Sequence, residues 1–226
     1  MRPANLGKFC LTGTLLFSLA GSLLAQTGEK RLFENPTLEN FDFFLADNGQ
    51  KEETFQFTSD GILKVSGTPF GWLETKESYR NFTLKVEVRY PDAEVEANSG
   101  LFLRIGEKNG SFLPPCLEIQ LKTGSVGDIF GFHGYTLFGT SERSRMKEKT
   151  AAGGKLHAVA KFQDGQKAGT DVWNQLEVTC FEDFVLVRVN GKIVNWAYKA
   201  PVLEGKIGFQ SEGGEVWFRN AIVIEE

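Results

Sequence analysis

The chain has 226 residues, 41% of them hydrophobic, and carries 25 Lys and Arg against 29 Asp and Glu. That length can bury one substantial core, so one domain is expected, or at most two. The acidic balance argues against binding nucleic acid or an anionic membrane through bulk electrostatics.

Residues 1–25 read as a secretory signal peptide. Arg2 and Lys8 form a short basic region, and "FCLTGTLLFSLAGSLLA" is an apolar run that ends in small residues. Cleavage after Ala25 leaves a mature chain, 26–226, expected to be one domain that is exported to the periplasm or the exterior. No other apolar run is long enough to cross a bilayer. A retained N-terminal anchor fits less well, because the run is short and rich in Gly, Ser and Ala near its end. Loss of the leader removes Cys10 and two basic residues, leaving 23 basic against 29 acidic side chains.

From Phe41 onward apolar and polar residues alternate over short runs bounded by Gly, Asn, Asp and Pro, the pattern of half-buried antiparallel strands. In "FTLKVEVRY" the residues Phe82, Leu84, Val86, Val88 and Tyr90 share one face, and Thr83, Lys85, Glu87 and Arg89 the other. Asn190-Gly191 supplies a tight hairpin between "FVLVRV" and "KIVNWA". Roughly a dozen such runs suit a two-sheet sandwich. The charged stretch Ser141 to Ala152, with Arg143, Arg145, Lys147 and Lys149, reads as a solvated surface loop. Cys116 and Cys180 could pair in an oxidising compartment or stand as two buried thiols.

One group of strands sorts in an unusual way. In "PPCLEIQLK", Leu117, Ile119 and Leu121 point inward, which leaves Glu118 and Gln120 together on the opposite face. The same sorting puts Phe102 and Arg104 outward from "GLFLRI", and Gln210 outward from "KIGFQS". On one sheet these would give a polar face of Arg104, Glu118, Gln120 and Gln210, flanked by aromatics such as Phe102 and Trp217. A solvated sheet face explains such a set in part. Amides, a carboxylate and a guanidinium beside aromatic rings also suit a hydroxyl-rich ligand, a carbohydrate above all.

Familiar catalytic signatures are missing: there is no His-x-x-x-His, Cys-x-x-Cys or Gly-x-Ser-x-Gly. Asp128 and His133 fall among glycines in "GDIFGFHGYT", at the expected edge of the polar face. His133 is suited to proton transfer near neutral pH, although a lone loop histidine is more often structural.

Five motifs in order carry a family resemblance: "GWLETKESYRNFTLKVEVRY", "NSGLFLRI", "CLEIQLK" with "GDIFG", "WNQLEVTC" with "VRVNGKIV", and "GKIGFQSEGGEVWFRNAIV". On these the chain resembles the exported bacterial 3-keto-disaccharide hydrolase family over most of its mature length. The resemblance implies an all-β fold, a concanavalin-like jelly-roll sandwich of two antiparallel sheets, with the ligand on the concave face. It implies cleavage of glycosides oxidised at sugar C3, by hydrolysis overall or by a lyase step in which the C1 substituent is eliminated.

By position, the resemblance implies Glu118 as base or metal ligand, Arg104 as partner of the enolate oxygen, and His133 as an alternative base or proton donor. Gln120, Gln210 and Glu212, with Phe102 and Trp217, would hold the 3-keto saccharide. A divalent metal ion on Glu118 or Asp128 would help stabilise the enediolate, and no organic cofactor is expected. Cys116-Leu117 before the Glu-x-Gln pair and Lys122-Thr123 after it depart from the usual family pattern, and bear on metal binding and substrate choice. A noncatalytic carbohydrate-binding module on the same fold is the alternative.

Overall fold

Strand-like alternation and turn residues fold the chain into antiparallel strands. The computed structural model describes residues 28–92, 95–148 and 154–226, so the leader segment 1–25 and Lys149 lie outside the described residues. In chain order the strands are β1 (Glu29–Arg31), β2 (Phe41–Leu45), β3 (Phe55–Phe57), β4 (Leu63–Val65), β5 (Gly71–Thr75), β6 (Phe82–Arg89), β7 (Gly100–Ile105) and β8 (Cys116–Gln120). They continue as β9 (Ile129–Phe132), β10 (Ser144–Lys147), β11 (Leu156–Val159), β12 (Asn174–Phe181), β13 (Phe184–Val189), β14 (Lys192–Ala197), β15 (Lys206–Ser211) and β16 (Val216–Glu225).

One sheet runs β14-β13-β12-β6-β16-β4-β3, with β1 also paired to β16; the other runs β10-β11-β9-β8-β7-β15-β5-β2. The core lies between them. Leu84, Val86 and Val88 of β6, Val178, Val187 and Phe218 face Leu101, Leu103, Leu117, Ile119 and Phe209, all buried. Removing this apolar surface from water is the main term that holds the sheets together. Among the described residues no helix is long and apolar enough to cross a membrane.

Asn190 and Gly191 take φ of 51° and 79°, as the tight hairpin between β13 and β14 requires. Cys116 and Cys180 are free buried thiols. Cys180 lies in the core between the sheets and Cys116 in a separate apolar cluster. Burial pushes the Cys180 thiol up to about 12.

Two features differ from the sequence expectation. Ser144–Lys147 is a strand, paired with Leu156–Val159 at the edge of its sheet. Its exposed Arg145, Met146 and Lys147 hide the alternation, and charge on an edge strand discourages further pairing.

The second difference is a bulge in β7. Phe102 faces Gly208 and Ile105 faces Lys206, so the register shifts between them, and Arg104 takes a φ of 53°. An extra residue on one strand reverses the alternation beyond it. Ile105 therefore joins Phe102 on the outer face of its sheet, in a cluster with Trp72, Leu113, Cys116 and Phe132. Arg104 does not share the face of Glu118.

Candidate active site

Glu118 occupies the middle of β8, paired with Phe102 on β7 and Phe130 on β9. It is 2% exposed, and its Oε1 is buried without a hydrogen-bond partner. The space for this carboxyl is made by Gly100. A Cβ there would overlap Glu118 Oε1 and lie 2.8 Å from Glu118 Cγ and 2.9 Å from Gln210 Oε1. The glycine is thus a notch in the sheet surface, where Glu118 and Gln210 bring their oxygens together.

The rest of the cluster is set by Glu212. Its Oε2 accepts hydrogen bonds from Gln210 Nε2 (2.9 Å) and Asn98 Nδ2 (3.0 Å). These bonds orient both amides, and Gln210 Oε1 and Asn98 Oδ1 are left buried and unpartnered, like Glu118 Oε1. Desolvation, with a contribution from the nearby charge of Glu212, pushes the Glu118 carboxyl well above its ordinary range. Burial also raises Glu212, against the two amide bonds and the Lys122 charge, which lower it. Carboxyls held at different degrees of neutrality can divide proton donation and acceptance between them.

The sequence-predicted residues are only partly brought together. Glu118, Gln210 and Glu212 form the cluster, and Phe102 lies beside it, its ring edge-on to Trp72 at 5.9 Å. Gln120 is adjacent on β8, but its Oε1 accepts from the backbone of Leu121 and Lys122. Arg104 is fully buried and directed elsewhere. Its guanidinium donates to the carbonyls of Arg80 (2.7 and 3.0 Å), Glu182 (3.0 Å) and Pro201 (2.7 Å). Asp128 accepts from the backbone of Lys161 at 2.8 Å, a bond that turns it toward the sheet edge.

His133 lies past the end of β9 at a φ of 51°, on the Cys116 side of Glu118. That is roughly 10 Å along the strand from Glu118, away from Glu212. Trp217 belongs to the other sheet, where Lys64 and Arg89 sit 4.4 and 4.6 Å from its ring centre. Asn98 and Gly100 were not singled out by sequence reasoning. Their signal was a glycine opening an apolar strand opposite the Glu-x-Gln pair, just after a polar residue.

The cluster presents acceptors in search of donors. A ligand rich in hydroxyls would satisfy them, as would a hard divalent cation. Glu118, Gln210 and Asn98 are the residues whose free oxygens fit such an ion. Among the described residues there is no group of three or more His, Cys, Asp and Glu suited to a metal, so the fit rests on amide oxygens as well as carboxylates. An open groove of about 540 Å³ lies elsewhere, on the outer face of the other sheet. Its charges are already matched in the pairs Lys85–Glu177 and Arg188–Glu177, whereas the Glu118 carboxyl is buried with Oε1 unpartnered, which makes it the candidate site.

Two antiparallel sheets packed face to face, with a polar cluster set into the outer face of one, make a jelly-roll sandwich, and comparison with solved structures agrees on that fold. A candidate glycosyl hydrolase from Parabacteroides distasonis is 21% identical, with a TM-score of 0.59 over 88% of this chain and 100% of that one. A Bacillus licheniformis β-glucanase is 13% identical, with a TM-score of 0.53 over 88% of this chain and 98% of that one. The carbohydrate-binding module CBM66 from Bacillus subtilis is 12% identical, with a TM-score of 0.55 over 80% of this chain and 93% of that one. No curated protein matches the sequence. The chain belongs to the 3-keto-alpha-glucoside-1,2-lyase-like domain family, whose model matches residues 28–224.

Proposed function

We propose that this protein is an exported enzyme that cleaves glycosides oxidised at sugar C3, with Glu118 as its proton-transfer group. The observation that carries the reading is the buried carboxyl of Glu118, unpartnered at Oε1 and held in the Gly100 notch beside Gln210 and Glu212. A ketone at C3 acidifies the hydrogen on C2. A base takes that proton, and the C–H electrons move into a C2–C3 enolate. The enolate then re-forms the ketone, makes a C1–C2 double bond and expels the C1 oxygen, which leaves as an alcohol once protonated. Water added across the double bond would give net hydrolysis.

A carboxylate whose pKa is raised by burial is the stronger base for a carbon acid, and its conjugate acid can pass the proton on to the departing oxygen. Gln210, Asn98 and Glu212 accept hydrogen bonds from sugar hydroxyls in this reading, and Phe102 supplies part of an apolar floor. Arg104 is already committed to three backbone carbonyls, which leaves the enolate oxygen without the partner first expected. A divalent cation bound by Glu118, Gln210 and Asn98 would supply that stabilisation by Lewis acidity.

The test is to incubate the mature protein with a 3-keto-glucoside carrying a chromogenic aglycone, with EDTA or with added Mn²⁺ or Co²⁺. Release by the wild type that is lost in Glu118→Gln is the expected result. No release under any of these conditions, together with binding of unoxidised glycans, would make the protein a noncatalytic binding module instead.

A further inference from the structure

A run of four aromatic rings, three exposed and one half-buried, lies along the β14 side of the sandwich, formed by residues other than those of the Glu118 cluster. Phe184 opens β13, Trp196 lies on β14, and Tyr198 follows it. Phe138 is held against Tyr198 by two backbone hydrogen bonds, of 3.0 and 2.8 Å, that link the two sheets. Successive ring centres are 6.5, 6.3 and 6.3 Å apart, with interplanar angles of 19°, 32° and 39°. Phe184, Tyr198 and Phe138 are 39%, 38% and 41% exposed. Exposed aromatic residues scattered singly need no explanation, but a continuous, gently turning strip does.

The strip is also supported from below. Arg143, buried to 8% exposure, donates to Asn195 Oδ1 at 2.7 Å and to the Ala160 carbonyl at 3.1 Å. These bonds hold its guanidinium 4.7 Å from the centre of the Trp196 ring, so that ring is fixed on one side. Among the described residues neither Trp196 Nε1 nor the Tyr198 hydroxyl makes a hydrogen bond. A rigid ring surface with unused polar groups at its rim matches one occupant best: a saccharide, whose C–H faces cover the rings while its hydroxyls reach the rim.

We propose that Phe184, Trp196, Tyr198 and Phe138 form a second saccharide-binding surface that takes a neutral glycan chain. Its role is to hold the protein on polymeric carbohydrate, and it does not depend on whether Glu118 cleaves 3-keto-glycosides.

Native gels cast with hydroxyethyl-cellulose, laminarin or soluble starch test it directly. At least one glucan retards the wild type, and Trp196→Ala and Tyr198→Ser each weaken that retardation fivefold or more. Glu118→Gln and Trp217→Ala are retarded like the wild type. Tyr198→Ser changes a half-exposed side chain, so it keeps the test sound if Trp196→Ala misfolds by circular dichroism. Wild-type protein unretarded by all three glucans overturns the proposal. So does loss of retardation in Glu118→Gln, which would return the binding to the carboxyl cluster. A dimer by light scattering that Tyr198→Ser converts to monomer, without any glycan effect, would assign the strip to a second copy of the chain.

Discussion

Arg104 and Glu118 stand on neighbouring strands, β7 and β8, and both are buried groups that carry charge in water. Arg104 meets three carbonyls with its guanidinium, whereas Glu118 keeps a buried oxygen with no donor at all. A buried ionisable group is costly unless it is paired and hydrogen-bonded. The first is satisfied by the fold and serves the fold. The second is left incomplete, and the missing donor is what a substrate or a proton can provide.

The contrast is broken most sharply by Glu118→Gln. The change keeps the shape and removes proton transfer, so turnover of a 3-keto-glycoside should fall about 10²- to 10⁴-fold, while stability holds or rises. Steady-state kinetics with a thermal melt check both halves; a variant that melts much earlier and turns over normally when folded would reverse the assignment. Arg104→Met should do the opposite. It strands the carbonyls of Arg80, Glu182 and Pro201 and should cost about 3 kcal/mol or more in urea denaturation, since each unsatisfied buried group costs about 1–3 kcal/mol. The protein that remains folded should keep most of its turnover.

Much of this was legible in the sequence, and the failures have local causes. Period-two alternation gives the strands and the inward faces, and it puts Glu118 and Gln210 outward on one sheet. It errs at Arg104 because a bulge adds one residue that no residue type announces, and everything past it changes sides. It errs at Trp217 because an outward-facing residue does not reveal which of two sheets it faces out from. The edge strand Ser144–Lys147 was hidden by its charges. The polar face proved mostly apolar, a floor of Trp72, Phe102, Ile105 and Cys116, because alternation cannot foresee that segment 106–115 brings Phe112 and Leu113 over it.

Gly100→Ala sharpens the comparison by altering only the space around the carboxyl. The φ of Gly100 is not left-handed, so the effect is one of volume and not of backbone strain. The new methyl group should displace Glu118, lower turnover about tenfold or more and cost about 1–3 kcal/mol, as overpacking does. Coupling is the diagnostic: in a Glu118→Ala background the stability penalty should shrink, because the overlapping atoms are gone. Strictly additive penalties would mean that the notch is not what positions Glu118.

The smallest effect is the dependence of stability on pH. Burial raises the Glu118 pKa in the folded protein above its ordinary value of 4.5, so the folded state holds that proton more tightly than the unfolded chain. Its contribution is then fully present below the unfolded pKa and is lost as pH rises through the folded one. Glu118→Gln cannot lose a proton and should escape that loss. Melting curves of the two proteins from about pH 4 to about pH 9 should therefore diverge as pH rises, with the variant gaining on the wild type. Glu212 and Asp128, whose carboxyls are raised too, are present in both proteins, so to a first approximation their effects cancel in the difference. A constant offset across the range would mean that Glu118 is solvated or paired after all, and would place it with Arg104 among the groups that the fold has already satisfied.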